Sequence, residues 1–386
     1  MSTGKIRLLV VARWPLGGIR TYMRYVYKHL SSRCTLTIVA ASTLEDEALE
    51  RDAEEIGARL IVCPAAEGKY GIVRTVFREL RKGRHDVIQS NGFISALLAS
   101  AANFPFRVPH IVTVHGIFEN RHLKGRTAGL QAALLSRVLR KVTVLYAVSD
   151  DIMEHLHETV PSLARSRCRK VVIRNGIDTG IFDGIRKGTF RERMGLNGKT
   201  FLIGYLGRFM PEKGFPYLID AVDILERSGK ISGDFRVIAV GSGDYLDWYR
   251  KKVKQKELER RFVFLPFQKD VAAIYRDMDV VVMPSRWEAF PLQPMEAMCA
   301  GTPLVASDCM GLREAVRDTP AVVFRSENAE ALARALQGVM ENPPGELFEK
   351  FRPVARERFD VRKTAEEVYR LLVETVAGKG RRGTGA

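Results

Sequence analysis

Short runs of β-branched and aliphatic residues alternate along the chain with longer segments whose apolar positions recur every three or four residues. The first run spans residues 6–11, and the segment after it carries Met23, Val26 and Leu30 at helical spacing. Further runs at 36–40, 60–62, 86–89, 110–115 and 142–148 predict strands, with a helix around 44–56. The alternation restarts at 201–206 and continues through 235–240, 263–267, 280–282, 304–306 and 321–324. Short apolar runs bounded by turn residues and separated by helical segments read as buried parallel strands with helical crossovers. Helices over 329–340 and 364–376 close the pattern. The fold class this predicts is α/β, with doubly wound parallel sheets.

At 386 residues the chain is longer than one hydrophobic core usually supports, so two domains are expected. The turn signal Asn175-Gly176 and the loose composition of 180–188 place the boundary near Thr179. That gives domains at 1–178 and 179–359, and a tail at 378–386 with too little to pack, expected to be disordered. No run of eighteen apolar residues appears, so no membrane-spanning helix is expected. The chain passes straight into its first strand, which predicts no secretory leader and a cytoplasmic protein. Five scattered cysteines without metal-ligand spacing fit a reducing compartment.

The formal charge of +16 changes the picture. Before position 186 there are 27 Lys and Arg against 17 Asp and Glu, so most of the excess lies in the first half. Such a surface attracts nucleic acid, anionic lipid headgroups or a phosphorylated substrate. Residues 69–85 make a basic amphipathic helix: Ile72, Val73, Val76, Phe77 and Leu80 form one face, flanked by Lys69, Arg74, Arg78, Arg81, Lys82 and Arg84. That stripe either lies on an anionic membrane or packs on its own sheet.

Chemistry concentrates at strand ends, the ligand edge of an open α/β sheet. Glu288 and Glu296 follow the strand at 280–282, and a carboxylate accepts several hydrogen bonds, so each can clasp vicinal hydroxyls of a sugar or ribose. Arg208 and Lys213, five residues apart beside Gly207 and Gly214, suit a diphosphate whose charge they would neutralise. Gly17-Gly18 opens the first helix, where backbone N–H groups can approach an anion. Gly241-Ser242-Gly243 is a similar strand-end turn fitting a nucleotide. His115 ends the strand at 110–115, and Arg121, Lys124 and Arg126 follow in a loop that could meet an anionic acceptor. No G-x-G-x-x-G follows the first strand, which disfavours a nicotinamide enzyme.

The spacing Glu288-x7-Glu296, continued by Glu296-Ala297-Met298-x-Ala300-Gly301-Thr302-Pro303-Leu304-Val305-Ala306, resembles the donor-site signature of glycosyltransferase family 4. These are retaining enzymes of GT-B fold, with two Rossmann-like domains facing a cleft. The resemblance implies that Arg208 and Lys213 meet the donor pyrophosphate, that Glu296 holds the ribose, and that Glu288 positions the donor sugar. It extends the donor side to Gly17, Gly18, Gly207, Gly241, Phe267 beside the base, Phe290, Pro291 and Leu292. His115 and the Gly17–Gly18 loop close the site from the other domain, and the last helix, at 360–377, packs back on the first domain. Asp277-Met278-Asp279 looks like a metal-binding Asp-x-Asp, but it sits where this family has an acid at a helix-to-strand turn. Two departures are visible: Ser307-Asp308-Cys309-Met310-Gly311 keeps one glycine where the family often has two, and no glycine follows Glu288.

The implied reaction moves a sugar from a UDP- or GDP-type donor to an acceptor hydroxyl with retention, in cell-surface polysaccharide, lipopolysaccharide or glycolipid synthesis. The departing phosphate itself can take the acceptor proton, so no enzymic nucleophile, metal or other cofactor is expected. Partners implied are the nucleotide sugar, a saccharide or glycolipid acceptor, and an anionic membrane surface. A sugar-nucleotide epimerase of the same fold is the alternative. A nucleic-acid binder would account for the charge, but the basic residues lack interleaved aromatics, so no nucleic acid is expected.

Overall fold

The computed structural model describes residues 4–43, 45–117, 128–196, 198–229, 233–268 and 270–382. Its strands form two sheets, and every pairing is parallel. The first contains β1 (Ile6–Ala12), β2 (Cys34–Ala41), β3 (Arg59–Cys63), β4 (Val87–Asn91), β5 (His110–Val114), β6 (Val144–Ala147) and β7 (Arg169–Val172). They are ordered β3-β2-β1-β4-β5-β6-β7. The second contains β8 (Phe201–Leu206), β9 (Phe235–Val240), β10 (Phe262–Leu265), β11 (Val280–Met283), β12 (Leu304–Ser307) and β13 (Val322–Phe324), ordered β10-β9-β8-β11-β12-β13. Strand order therefore reverses beside β1 in one sheet and beside β8 in the other. Ligands of doubly wound sheets bind beyond the strand tips at such switch points.

The aliphatic runs become strands because both faces of each sheet are covered. Leu8 to Val11 and Val280 to Val282 are all essentially inaccessible to water. In the second domain Phe209, Phe215 and Tyr249 join strand side chains such as Phe235 and Phe262 in one core. All five cysteines are buried free thiols.

The chain divides into two compact units, Met1–Gly176 with Val361–Ala386, and Ile177–Asp360. The first is thus assembled from both ends of the chain. The helix Val361–Arg382 buries Val361, Val368, Leu371 and Leu372 in it. Arg33 pairs with Glu366 at 2.7 Å and lies 3.9 Å over the ring of Tyr369.

One expectation needs correction, one element was missed, and one open alternative is narrowed. Residues 378–382 continue the last helix rather than a loose tail, since a formed helix extends at little cost per residue. The helix Gly345–Arg358 was not anticipated, because Pro353 in its interior hides it from a reading by propensity. The basic amphipathic helix exists as Gly68–Arg81, and most of its apolar stripe packs on its own sheet: Ile72, Val76 and Leu80 are buried against Leu9, Val11, Val39 and Ile88, while Phe77 of the same stripe is exposed.

Candidate functional site

In the second domain the loops beyond β8, β9, β11 and β12 interlock at the switch point. Gly214, at φ +67°, packs so closely that a Cβ there would lie 1.7 Å from the Pro284 carbonyl oxygen. Gly241, at φ +150°, would bring a Cβ 1.9 Å from the carbonyl oxygen of Gly207. Only a residue without a side chain permits either approach. The Ser307 hydroxyl ties β12 to the loop after β11 by donating to the Ser285 carbonyl at 2.6 Å, and Ser326 donates to the same oxygen at 3.1 Å. The Glu288 N–H donates to the Met310 carbonyl at 3.0 Å, so the segment with a single glycine lies directly against the acidic loop.

This scaffold holds a buried ion pair. Lys213 Nζ donates to both carboxylate oxygens of Glu288, at 2.7 and 2.8 Å, and the Ser285 hydroxyl donates to Oε1 at 2.8 Å. The Glu288 side chain is 8% exposed and that of Lys213 19%. An ammonium has three protons, so one remains for an anion after Glu288 takes two. The Arg208 guanidinium lies on the same loop, exposed and without a hydrogen-bond or ion-pair partner among the described residues, while the Arg208 carbonyl accepts from the Tyr205 hydroxyl at 2.9 Å. A charge with no partner among the described residues is available to a ligand.

Pro294 enters the helix Gln293–Ala300 in its first turn, Glu296 follows in the same turn, and Gly301 ends it in the left-handed region. Glu296 is half-buried, and Oε2 accepts a hydrogen bond from the Tyr275 hydroxyl at 2.8 Å. Phe290 and Pro291 are buried and Leu292 half-buried, so they wall the loop rather than project from it. Phe267 lies past the end of β10, 70% exposed. Gly207 sits at the tip of β8 beside the Gln293 side chain.

In the first domain the tips of β4 and β5 bring Asn91 and His115 together. With the Asn91 amide oriented so that Nδ2 donates to the Tyr27 hydroxyl at 3.1 Å, its Oδ1 accepts from His115 Nε2 at 2.8 Å. The ring nitrogen Nδ1 then keeps its lone pair. The Tyr22 ring meets the imidazole edge-on, with centroids 4.6 Å apart. Removal from water disfavours the imidazolium and holds the pKa of His115 down at about 3. Beneath it, Gln89 donates to the Thr113 hydroxyl at 2.8 Å. Gly17, at φ +53°, precedes the helix Gly18–Leu30, and both glycines are exposed.

Arg121, Lys124 and Arg126 lie outside the described residues. Asp277 and Asp279 are structural: Asp277 is fully buried and accepts the backbone N–H groups of Gly188, Phe190 and Arg191, while Asp279 accepts from Leu202 N at 2.7 Å. Among the described residues no three His, Cys, Asp or Glu side chains gather as a metal site. Sequence reasoning missed Ser285, Tyr275 and Asn91. Asn91-Gly92 carries a turn signal that could have drawn attention; Tyr275, 21 residues before Glu296, carries none.

Residues 186–358 match the sequence profile of the family described as glycosyl transferases group 1, and residues 16–180 that of glycosyltransferase family 4. The chain is 27% identical over 310 residues to an uncharacterized glycosyltransferase of Methanocaldococcus jannaschii, covering 74% of this chain and 77% of that protein. It is 24% identical over 311 residues to the UDP-Gal:alpha-D-GlcNAc-diphosphoundecaprenol alpha-1,3-galactosyltransferase of Escherichia coli, covering 79% of each. The fold matches that of Anabaena Alr3699/HepE, solved with UDP and with UDP-glucose, at a TM-score of 0.80 and 20% identity, over 96% of this chain and 100% of that one.

Proposed function

Because the chain belongs to the family 4 glycosyltransferases of GT-B fold and so uses a nucleotide-sugar donor, we propose that its donor is a UDP-hexose and that transfer retains the anomeric configuration. The UDP and UDP-glucose complexes of the structural neighbour and the UDP-galactose donor of the E. coli relative favour uridine over guanosine. The observation that carries the reading is the Lys213–Glu288 pair beside the unpartnered Arg208 at the tip of β8. Arg208 and the spare proton of Lys213 neutralise charge on the departing diphosphate, which is the term electrostatic catalysis depends on most. Glu288, fixed by Lys213 and Ser285, accepts hydrogen bonds from sugar hydroxyls, and Glu296 accepts from the ribose. The C1–O bond to the diphosphate breaks, the acceptor oxygen bonds to C1, and a phosphate oxygen takes the acceptor proton. The two cations fill the role a divalent metal has elsewhere, so chelation should leave the rate unchanged.

The acceptor class we infer is anionic, a lipid-linked or polysaccharide intermediate, and its place is the strand-tip face of the first domain around His115. The basic first half supports this, as does the diphosphoundecaprenol acceptor of the E. coli relative.

The test is a thermal-shift screen of nucleoside diphosphates and their sugars, followed by transfer assays with lipid-linked saccharides. UDP at a hundred times its Kd should stabilise the second domain by about 2.7 kcal/mol. Arg208→Ala should cut turnover roughly 100-fold or more. NMR of the product should show the donor's own anomeric configuration. Donor conversion at the same rate with no acceptor present would instead identify an epimerase.

A further inference from the structure

The loop that leaves β1 at the first domain's switch point carries Arg13 and Trp14, outside the motifs on which the family resemblance rests. Its backbone is held from both sides. The Arg13 N–H donates to the Ser95 hydroxyl at 2.9 Å, in the first turn of the helix Phe93–Asn103 and just past Asn91. The Arg13 carbonyl accepts from the N–H of Ala41, at the end of β2, at 3.2 Å. Pro15 is buried, and the Leu16 N–H closes back on the Trp14 carbonyl at 2.9 Å. On this clamped loop Trp14 is 53% exposed. An exposed aromatic alone is ordinary; what stands beside this one is not.

The Arg13 guanidinium lies 3.9 Å over the Trp14 ring. It is half-buried, and it has no hydrogen-bond or ion-pair partner among the described residues. Burial pulls its pKa below the ordinary value, with no carboxylate to hold it up. Arg20, on the helix that follows, shows the contrast: it is also half-buried, yet it pairs with Glu45 at 2.9 Å and Asp52 at 2.5 Å. The indole offsets part of the cost of removing the Arg13 charge from water. Its planar fork of N–H donors is left over, and that fork fits a carboxylate or a phosphate.

We propose that Arg13 and Trp14 form a subsite for an acidic pyranose of the acceptor, the sugar ring lying on the indole while Arg13 grips its carboxylate or phosphate. An apolar ring face with one oriented charge is the usual make-up of a small-molecule site. Through Ser95 the pair is anchored beside Asn91, which holds His115, so the subsite belongs to the strand-tip face of the first domain. The proposal rests on the anionic acceptor inferred above and adds the kind of sugar unit that carries the charge.

Ligand-observed NMR titrations of the full chain, without nucleotide, use methyl glucuronide, glucose 6-phosphate, methyl glucoside and inorganic phosphate. One of the two acidic sugars should bind roughly tenfold more tightly than methyl glucoside or inorganic phosphate, and which one does so decides between carboxylate and phosphate. Arg13→Gln should erase that preference and leave methyl glucoside within about twofold. Trp14→Ala should weaken all three sugars, about fivefold. In transfer assays with lipid-linked saccharides both variants should raise the acceptor KM roughly tenfold and leave the donor KM unchanged. Equal affinity for acidic and neutral sugars, or variants that bind and transfer like wild type, would overturn the proposal. So would variants that lose the UDP thermal shift, since the indole would then serve the donor's base. Transfer confined to neutral acceptors would sink the acceptor reading and this proposal together; titrations that fail while acidic acceptors are still used would sink this proposal alone.

Discussion

A histidine whose imidazole stays neutral far below pH 6 can serve a sugar-transfer site only as a hydrogen-bonding group, never as a standing cation. His115 reaches that state through burial, and Asn91 fixes which nitrogen carries the proton. Its folded pKa of about 3 lies below the ordinary 6.5, so the stability this neutral ring contributes is complete above pH 6.5. It is lost as pH falls from there towards 3. His110, held at about 4 by burial between Ser90 and Ser100, adds to the same loss. Asn91→Asp tests the arrangement, because a carboxylate at 2.8 Å favours the imidazolium and raises the His115 pKa. The pH profile of kcat/KM should gain an acid limb between about pH 4 and 6 that wild type lacks; an unchanged profile would remove His115 from the site. Tyr275→Phe probes the other carboxylate. Losing the hydrogen bond to Glu296 should raise the donor KM several-fold while kcat stays within about twofold. The sequence could place Glu288, Glu296, Arg208 and Lys213 beside strand ends because the apolar runs before them mark the strands, and the resemblance to the family supplied the roles expected of them. Ser285, Tyr275 and Asn91 were not singled out, since their role is set by distances across the sheet.

At the scale of elements, the alternating pattern located the strands well, because a buried parallel strand must be continuously apolar whatever surrounds it. The helix stripes were harder to interpret, since periodicity shows that a face is apolar without showing what covers it. For Gly68–Arg81 the cover is the domain's own sheet. The glycines at the strand tips carry more information than their turn signals suggest. Gly214 and Gly57 share a left-handed backbone, at φ +67° and +73°, yet a Cβ at Gly57 would meet nothing within 4 Å. Gly57→Ala should therefore cost about 1 kcal/mol, the conformational penalty alone. Gly214→Ala adds a clash with the Pro284 backbone and should cost roughly 3 kcal/mol or more, with loss of UDP binding. Urea midpoints of the two variants give the comparison, and equal losses would mean that the close approach of the β8 and β11 loops does not constrain the site.

Over the whole molecule, the chain leaves the first unit and returns to it at one place. Ile177 donates to the Phe359 carbonyl at 2.8 Å and bridges to Asp360, so the second unit begins and ends on adjacent backbone. Neighbouring termini are what allow one domain to be inserted within another without disturbing either core. The sequence offered a turn signal for the first crossing and nothing comparable for the second, where Phe359 and Val361 are both buried. The consequence is unequal dependence on the C-terminal segment. A chain ended at Asp360 forfeits the burial of Val361, Val368, Leu371 and Leu372, at about 1.5–3 kcal/mol each. The sum, roughly 6–12 kcal/mol, is as large as the whole stability of an ordinary domain. It also forfeits the pairing of Arg33 with Glu366 and of Arg169 with Glu374. Calorimetry of the shortened chain should therefore lose the first unit's transition and keep the second's, which UDP should still raise. If the first unit melts within a few degrees of its normal temperature, the last helix is an accessory to that unit and not part of its core.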